Sequence, residues 1–466
     1  MARTGALDDR GAASARTYPP RSAVLGWVLF DWAAQPYFSL ITTFVFAPYF
    51  ATHVASNPAT GQSLWGFATA AAGLVIAIMS PVLGAIADAG GRRKPWIAAF
   101  GTLLVIGSSI MWIGKPGDPS VILPLLIAFG IATIGVEFAT VFNNAMMPTL
   151  VPPEKIGRLS GTGWATGYIG GILSLVIVLG FLAANADTGK TLFGFTPLFG
   201  LDPATHEGDR ITGPLTGLWF MIFVLPMFLL TPDVAAKKPA LGAVREGLRE
   251  LRETLTSLPG NPVMATFLIA NMVYTDALVA LFAFGGIYAA GTFGWHTIQI
   301  GTFGILLAFS GTIGAWLGGK LDDLFGPKKV IAGSMIILLA AIAAILSIDR
   351  DTLFFVVKVA PPVPGGGLFA APAEKAYLAL GFLIGMAAGP LQAASRTLLI
   401  RLAPKDRITQ YFGLFALSGK VTSFMAPLVV SIVTAVTMSQ KAGMAVLIVF
   451  FLAGLALLSR VQTARA

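Results

Sequence analysis

Twelve stretches of mostly apolar residues recur along this chain, separated by short polar intervals. Crossing about 30 Å of hydrocarbon takes roughly 20 apolar residues in a helix, and the stretches have that length. They are numbered spans 1 to 6, near 23–50, 64–87, 95–113, 121–150, 160–184 and 212–231. Spans 7 to 12 follow near 262–289, 297–318, 330–348, 376–400, 408–434 and 442–459. The pattern predicts an all-α membrane protein of twelve transmembrane helices in two sets of six.

The longest polar interval, 232–261, separates the sets. Within it Leu241, Val244, Leu248, Leu251 and Leu255 fall at helical spacing, with Arg245, Arg249 and Arg252 elsewhere around the wheel. That is the pattern of an amphipathic helix lying in the membrane interface; a covering linker between the halves and a partner-docking helix both fit it. The expected organisation is an N-terminal tail, 1–22, a six-helix bundle, 23–231, the linker, 232–261, a second bundle, 262–459, and a tail, 460–466.

Composition agrees with lipid as the main solvent. Only 11% of the 466 residues are charged and 56% are hydrophobic, against about 25% charged in a soluble chain. With no cysteine, disulfides and thiolate metal sites are excluded. His53, His206 and His296 are isolated in sequence near predicted helix ends, so no histidine metal cluster is expected. The first twenty residues carry Arg3, Arg10 and Arg16 but no apolar core, so no cleavable signal peptide is visible. A net charge of +9 would suggest nucleic-acid binding in a soluble protein, but here the charges follow the loops. With the N-terminus inside, 22 of the 31 basic residues lie in cytoplasmic segments, which orients both chain ends to the cytoplasm.

The halves repeat each other. The loop after span 2 carries Gly84, Asp88, Gly91, Arg92, Arg93 and Lys94; the loop after span 8 carries Gly319, Asp323, Gly326, Lys328 and Lys329. They align without a gap at an offset of 235 residues. At an offset of 252, Pro152 pairs with Pro404, Gly161 with Gly413 and Gly167 with Gly419; Asp31 and Asp276 pair at 245. Glycines permit a sharp turn between packed helices, an aspartate is favoured near a helix N-terminus, and basic residues suit the cytoplasmic interface. These loops are candidate cytoplasmic gates; a plain turn with a topology signal is the alternative.

The repeated glycine–aspartate–glycine–basic pattern resembles the loop signature of the major facilitator superfamily. Phe30-Asp31-Trp32-Ala33 with Tyr37 resembles the first helix of its vacuole-effluxer-like branch (autophagy-related amino-acid effluxers). Asn144 to Pro148, Gly161 to Gly171, Gln392 to Arg396 and Phe412 to Lys420 are similar to later spans of that branch. Pro327 departs from the pattern, standing where a basic residue is usual, and Thr275 and Ala277 flank Asp276 where Asn and Gly are common. The resemblance implies the two-bundle major facilitator fold and alternating-access transport, with amino-acid export the best-known activity of eukaryotic relatives.

Ionisable residues inside a membrane cost about 2.5–3.5 kcal/mol or more when unpaired at its centre. Five occur: Asp31, Glu137, Asp276, Arg396 and Lys420, on spans 1, 4, 7, 10 and 11. In the resembled fold spans 1, 4, 7 and 10 line the central cavity. Three acids and two bases could hold both ends of a zwitterion, and a carboxyl group in a poorly hydrated cavity suits reversible proton carriage. Gln35 and Tyr37 accompany Asp31, and Asn271 and Tyr274 accompany Asp276. Asn143 and Asn144 pair by repeat with Ser395 and Arg396, and Gln392 lies one turn from Arg396. Internal salt bridges and inter-helix hydrogen bonds are the alternative for each. The glycines of span 5, Gly161, Gly163, Gly167, Gly170 and Gly171, are read as packing surfaces that let the halves rock.

No phosphate-loop pattern is present, and neither a serine elbow nor a metal-ligand cluster, so a non-enzyme without cofactor is expected. The reading is a proton-coupled transporter of a small polar solute, an amino acid or related zwitterion, working as a monomer in a cell inner membrane (or a vacuolar membrane in a eukaryote). Efflux of amphipathic toxic compounds and a non-transporting sensor on the same scaffold are the competing readings.

Overall fold

The computed structural model describes residues 18–462, apart from 91, 145, 153–155, 186–187, 234–248, 250–251, 253–255, 257–259, 363–366, 404–413, 416–417 and 420–421. Most of the linker with its amphipathic stretch, and most of the first half of span 11, therefore lie outside the described residues.

Without water, backbone N–H and C=O groups must bond within their own segment, which makes helices of the apolar runs. Among the described residues eight helices are long and apolar enough to cross a membrane: Lys94–Ile113, Pro119–Asn144, Glu207–Leu230, Pro262–Phe293, Thr297–Asp322, Pro327–Leu346, Pro372–Leu399 and Gln440–Arg460. They are spans 3, 4, 6 to 10 and 12. Span 2 is the helix Pro58–Gly90, span 5 runs over Ile156–Ile177 and on to Leu182, and span 11 is described as Met425–Thr437. Sequence signals set the ends. Asn261 Oδ1 accepts from Met264 N–H at 3.1 Å and Ser439 Oγ from Ala442 N–H at 3.3 Å, capping spans 7 and 12. Gly326, at φ +83°, makes the turn into Pro327 that a side chain would strain.

Span 1 is not the single α-helix expected. After Arg21–Pro36 the chain widens to π-helix over Tyr37–Phe44, resumes over Phe46–Tyr49, and ends in a π turn, Phe50–Val54, beyond the predicted limit. Pro36 and Pro48 lack the N–H that an α-helix needs, and a widened helix takes up the mismatch. Elsewhere an antiparallel pair, Thr352–Leu353 with Val357–Lys358, lies between spans 9 and 10, where only a loop was expected.

Packing repeats between the halves. Span 1 lies on spans 5 and 6 as span 7 lies on 11 and 12, and spans 2 and 3 flank span 4 as spans 8 and 9 flank span 10. The halves meet mainly through spans 2 and 11, 5 and 8, and 1 with 7 and 8. Both chain ends share one face, called proximal: Thr231 Oγ1 donates to Ala23 O at 2.8 Å in one half, and Lys328 Nζ donates to Val461 O at 2.6 Å in the other. At the opposite, distal face the halves touch. Thr297 donates to Asp209, and Gln440 Nε2 donates to Pro58 O at 3.2 Å.

Glycine sets the closest helix approaches. A Cβ on Gly314 of span 8 would sit 2.3 Å from Met386 O of span 10, whereas one on Gly333 of span 9 would meet nothing within 4 Å. Gly314→Leu should lower the melting temperature of the detergent-purified protein, overpacking costing about 1–3 kcal/mol. Gly333→Leu should leave it within a degree or so, and equal effects would refute this packing.

Candidate functional site

The two carboxylates paired by repeat occupy equivalent places. Asp31 of span 1 is half-buried against span 5, where a Cβ on Gly163 would lie 2.3 Å from its Oδ2 and one on Gly167 3.4 Å from its Cβ. Asp276 of span 7 is 2% exposed, with Thr422 of span 11 beside it and, among the described residues, no hydrogen-bond partner on Oδ1. Residues 170 and 422 correspond at the 252 offset, so each half turns a first-span carboxylate toward its own fifth span. Farther along, Gly170 packs on Trp32 and Gly171 on Gln35 and Ser39. The span 5 glycines thus close a contact inside one half. Gly163, Gly167, Gly170 and Gly171 are packing surfaces as expected, and the close approach they permit lies within one half, where their missing side chains make room for residues of span 1.

The remaining candidates separate by burial. Tyr37 is buried and hydrogen-bonded to Thr133 Oγ1 at 2.7 Å and Phe129 O at 3.2 Å, one turn from half-buried Glu137. Asn143 is fully buried; its carbonyl accepts from Trp27 Nε1 at 2.7 Å, while neither side-chain amide atom has a partner. Tyr274 OH is 2.7 Å from Ser395 Oγ, tying span 7 to span 10, and Asn271 is buried nearby. Asn144, Gln392 and Arg396 are exposed. Arg396 has Tyr168 of span 5 as its electrostatic neighbour across the halves. Lys420 lies outside the described residues. Asp276, Asn271, Tyr274, Ser395, Tyr37 and Asn143 are therefore enclosed by protein, not lining an open central cavity as the resemblance implies, because spans 1 and 7 pack on the fourth to sixth helices of their own halves.

The repeated loops act partly as helix caps. Lys94 Nζ donates to Phe228 O at 2.9 Å near the end of span 6, and Lys328 Nζ to Ser459 O at 3.1 Å and Val461 O at the end of span 12. A cation beside terminal carbonyls is favourable, so each loop ties itself to the last span of its half. Arg93 is buried and its N–H donates to Asp233 Oδ1 at 2.9 Å; Arg92 is exposed. Gly84 and Asp88 lie on the last turns of span 2, so Asp88 ends one helix instead of starting the next. The side chains of Asp88 and Asp323 and the whole of Gly91 lie outside the description. Next to Asp323, Asp322 is buried and approaches Arg401 at 3.8 Å. Gly319 would admit a Cβ freely.

The three histidines are not isolated. At the distal face the His53 and His206 ring centroids are 4.1 Å apart, and His53 and His296 are 6.5 Å apart. His206 Nδ1 lies 3.0 Å from Asp209 Oδ2, and both Asp209 and Arg210 are buried. The Arg210 guanidinium donates through Nη2 to Trp112 O at 2.7 Å and lies 4.5 Å from the Trp112 ring. Among the described residues no group is arranged to hold a metal ion. Sequence reading missed this cluster because its members come from three loops, more than 80 residues apart, and carry no common spacing.

Comparison with known proteins adds the family. The profile described as vacuole effluxer Atg22 like matches residues 153–466, and the Major Facilitator Superfamily profile matches 9–175. The MFS-type transporter YxiO of Bacillus subtilis (strain 168) is 24% identical over 442 residues, 93% of each chain. Autophagy-related protein 22 of Yarrowia lipolytica is 22% identical over 373 residues, 75% of this chain and 58% of that protein. Among solved structures, a D-xylose-proton symporter superposes with TM-score 0.62 at 14% identity, covering 95% of this chain and 97% of that one. The xylose transporter XylE from E. coli, in an inward open conformation, gives 0.59 at 14% identity and 95% of each chain. These likenesses confirm the two-bundle fold, and the chain belongs to the vacuole effluxer Atg22 like family of the major facilitator superfamily: a multi-pass membrane transporter, not an enzyme.

Proposed function

We propose that this transporter moves a small zwitterionic solute, an amino acid or close relative, in exchange with or alongside protons. The observation that carries the proposal is the pair of carboxylates at equivalent places in the two halves, Asp31 and Asp276, the second with an unpartnered oxygen. A group that can hold a proton on the first helix of each half links proton binding to how that helix packs in its bundle, and so to the direction in which the site opens. Arg396 supplies an exposed cation for a solute carboxylate, and half-buried Asp31 and Glu137 supply anions for an ammonium. A proton symporter, the D-xylose-proton symporter, shares this fold, which supports the coupling in kind. The orientation follows the basic loops: proximal face and both chain ends in the cytoplasm, distal face outside, in a cell membrane, the transporter acting as a monomer.

A thermal-shift screen of the purified protein against the amino acids tests the substrate class first. A solute at 100 times its Kd stabilises by about 2.7 kcal/mol, enough to move the melting temperature measurably. If no zwitterion shifts it, the substrate assignment is wrong.

In proteoliposomes loaded with a hit from that screen, Asp276→Asn should cut proton-driven accumulation roughly tenfold or more, the effect of losing one charged interaction of about 1.5–3 kcal/mol. Solute counterflow without a gradient should persist. Equal loss of both activities would make Asp276 structural, and no loss of either would remove proton coupling from this site. For Arg396→Gln, half-saturation for the solute should rise about tenfold on the same scale; an unchanged value would exclude the residue from binding.

A further inference from the structure

All three histidines of the chain meet where the two halves close the distal face. His53 stands on the π turn Phe50–Val54, past residue 50 where the apolar run of span 1 ends. His206 stands in the loop before span 6, and His296 immediately precedes span 8. The first two belong to the N-terminal half and the third to the C-terminal half, and beside the rings a hydrogen bond from Thr297, next to His296, to Asp209 joins the halves.

We propose that this cluster is a proton-operated latch on the distal gate, held shut while the His53 imidazole is neutral and released when the distal solution acidifies. The inference rests on the alternating-access reading only in taking the distal contact as one that opens.

The neighbours of His53 decide the sign. From its own helix it faces Tyr49, at 5.7 Å between ring centroids, and Thr52 Oγ1, at 2.8 Å from Nδ1. Across the cluster stand His206 and His296, then Asp209 bound to His206, with Arg210 and Glu207 paired beside them. Asp209 is the anion nearest the rings, and it is already engaged by His206 and Thr297. A proton on His53 meets the His206 ring 4.1 Å away and, across the cluster, an Asp209 carboxylate already engaged by His206 and Thr297. Burial, followed by His206 and His296, pushes the His53 imidazole down to about 4. With the halves apart and the ring hydrated, it returns toward the ordinary 6.5.

The open form therefore binds the proton more tightly, and acid favours opening. The shift begins below pH 6.5 and grows until about pH 4. Between pH 7.5 and 5 it multiplies the open-to-closed ratio on the order of 30-fold.

Since the chain has no cysteine of its own, Ser56→Cys and Arg350→Cys place spin labels on exposed distal positions of the two halves. Their separation is measured by electron–electron double resonance on the full chain in lipid nanodiscs at pH 7.5 and 5, without solute, so the readout does not depend on transport. The native background should gain a longer-distance population in acid, and His53→Gln should abolish most of that gain. His53→Lys, a permanent cation, should show the longer distance already at pH 7.5. Thr297→Val should raise the open population at both pH values while keeping the acid response. An acid response that survives His53→Gln, one lost in Thr297→Val, or a native distance unmoved by pH would each overturn the latch, as would a closed His53→Lys at pH 7.5.

Discussion

A charge inside hydrocarbon is tolerable only when the protein itself supplies its surroundings, and that constraint organises this molecule. Asp31 and Asp276 are each turned into their own bundle, against the fifth helix, where bare glycine on one side and Thr422 on the other leave room for a carboxyl group. The helices that carry them must therefore pack tightly on their own half. That tight packing keeps each six-helix bundle a coherent body, and coherent bodies are what an alternating mechanism moves.

The same constraint explains the loops and the distal face. Lys94 and Lys328 reach the last carbonyls of spans 6 and 12, so basic residues of the proximal face also satisfy helix ends. Arg210 is buried but cradled by the Trp112 carbonyl and ring. Between the halves, by contrast, the distal links among the described residues are a few hydrogen bonds, Thr297 to Asp209, Gln440 to Pro58 and Gln62 to Thr434, with three imidazoles beside the first. Strong satisfaction within bundles and sparse polar contact between them is the arrangement a rocking transporter needs.

Much of this was legible in the sequence. The length and spacing of apolar runs predict the spans, because hydrocarbon thickness sets helix length. The 235, 252 and 245 offsets predict the pseudo-symmetry, and they anticipate that Asp31 and Asp276 occupy matching places. Candidate residues were found because ionisable groups are so rare in the spans. What the pattern misjudged was burial. Tyr37, Asn143, Tyr274 and Asp276 are polar and lie on cavity-type helices, yet they face neighbouring helices of their own bundle.

The sequence by itself determined the spans, the duplication and the identity of the intramembrane charges, since each depends on local composition or on self-similarity along the chain. Tertiary structure alone decided what each charge touches and which distant loops meet. Helix rotation sets those contacts, and one residue step turns a side chain by about 100°, beyond what hydropathy can register. His53, His206 and His296 show the limit: no periodicity relates them, and only the closing of two bundles brings their rings together.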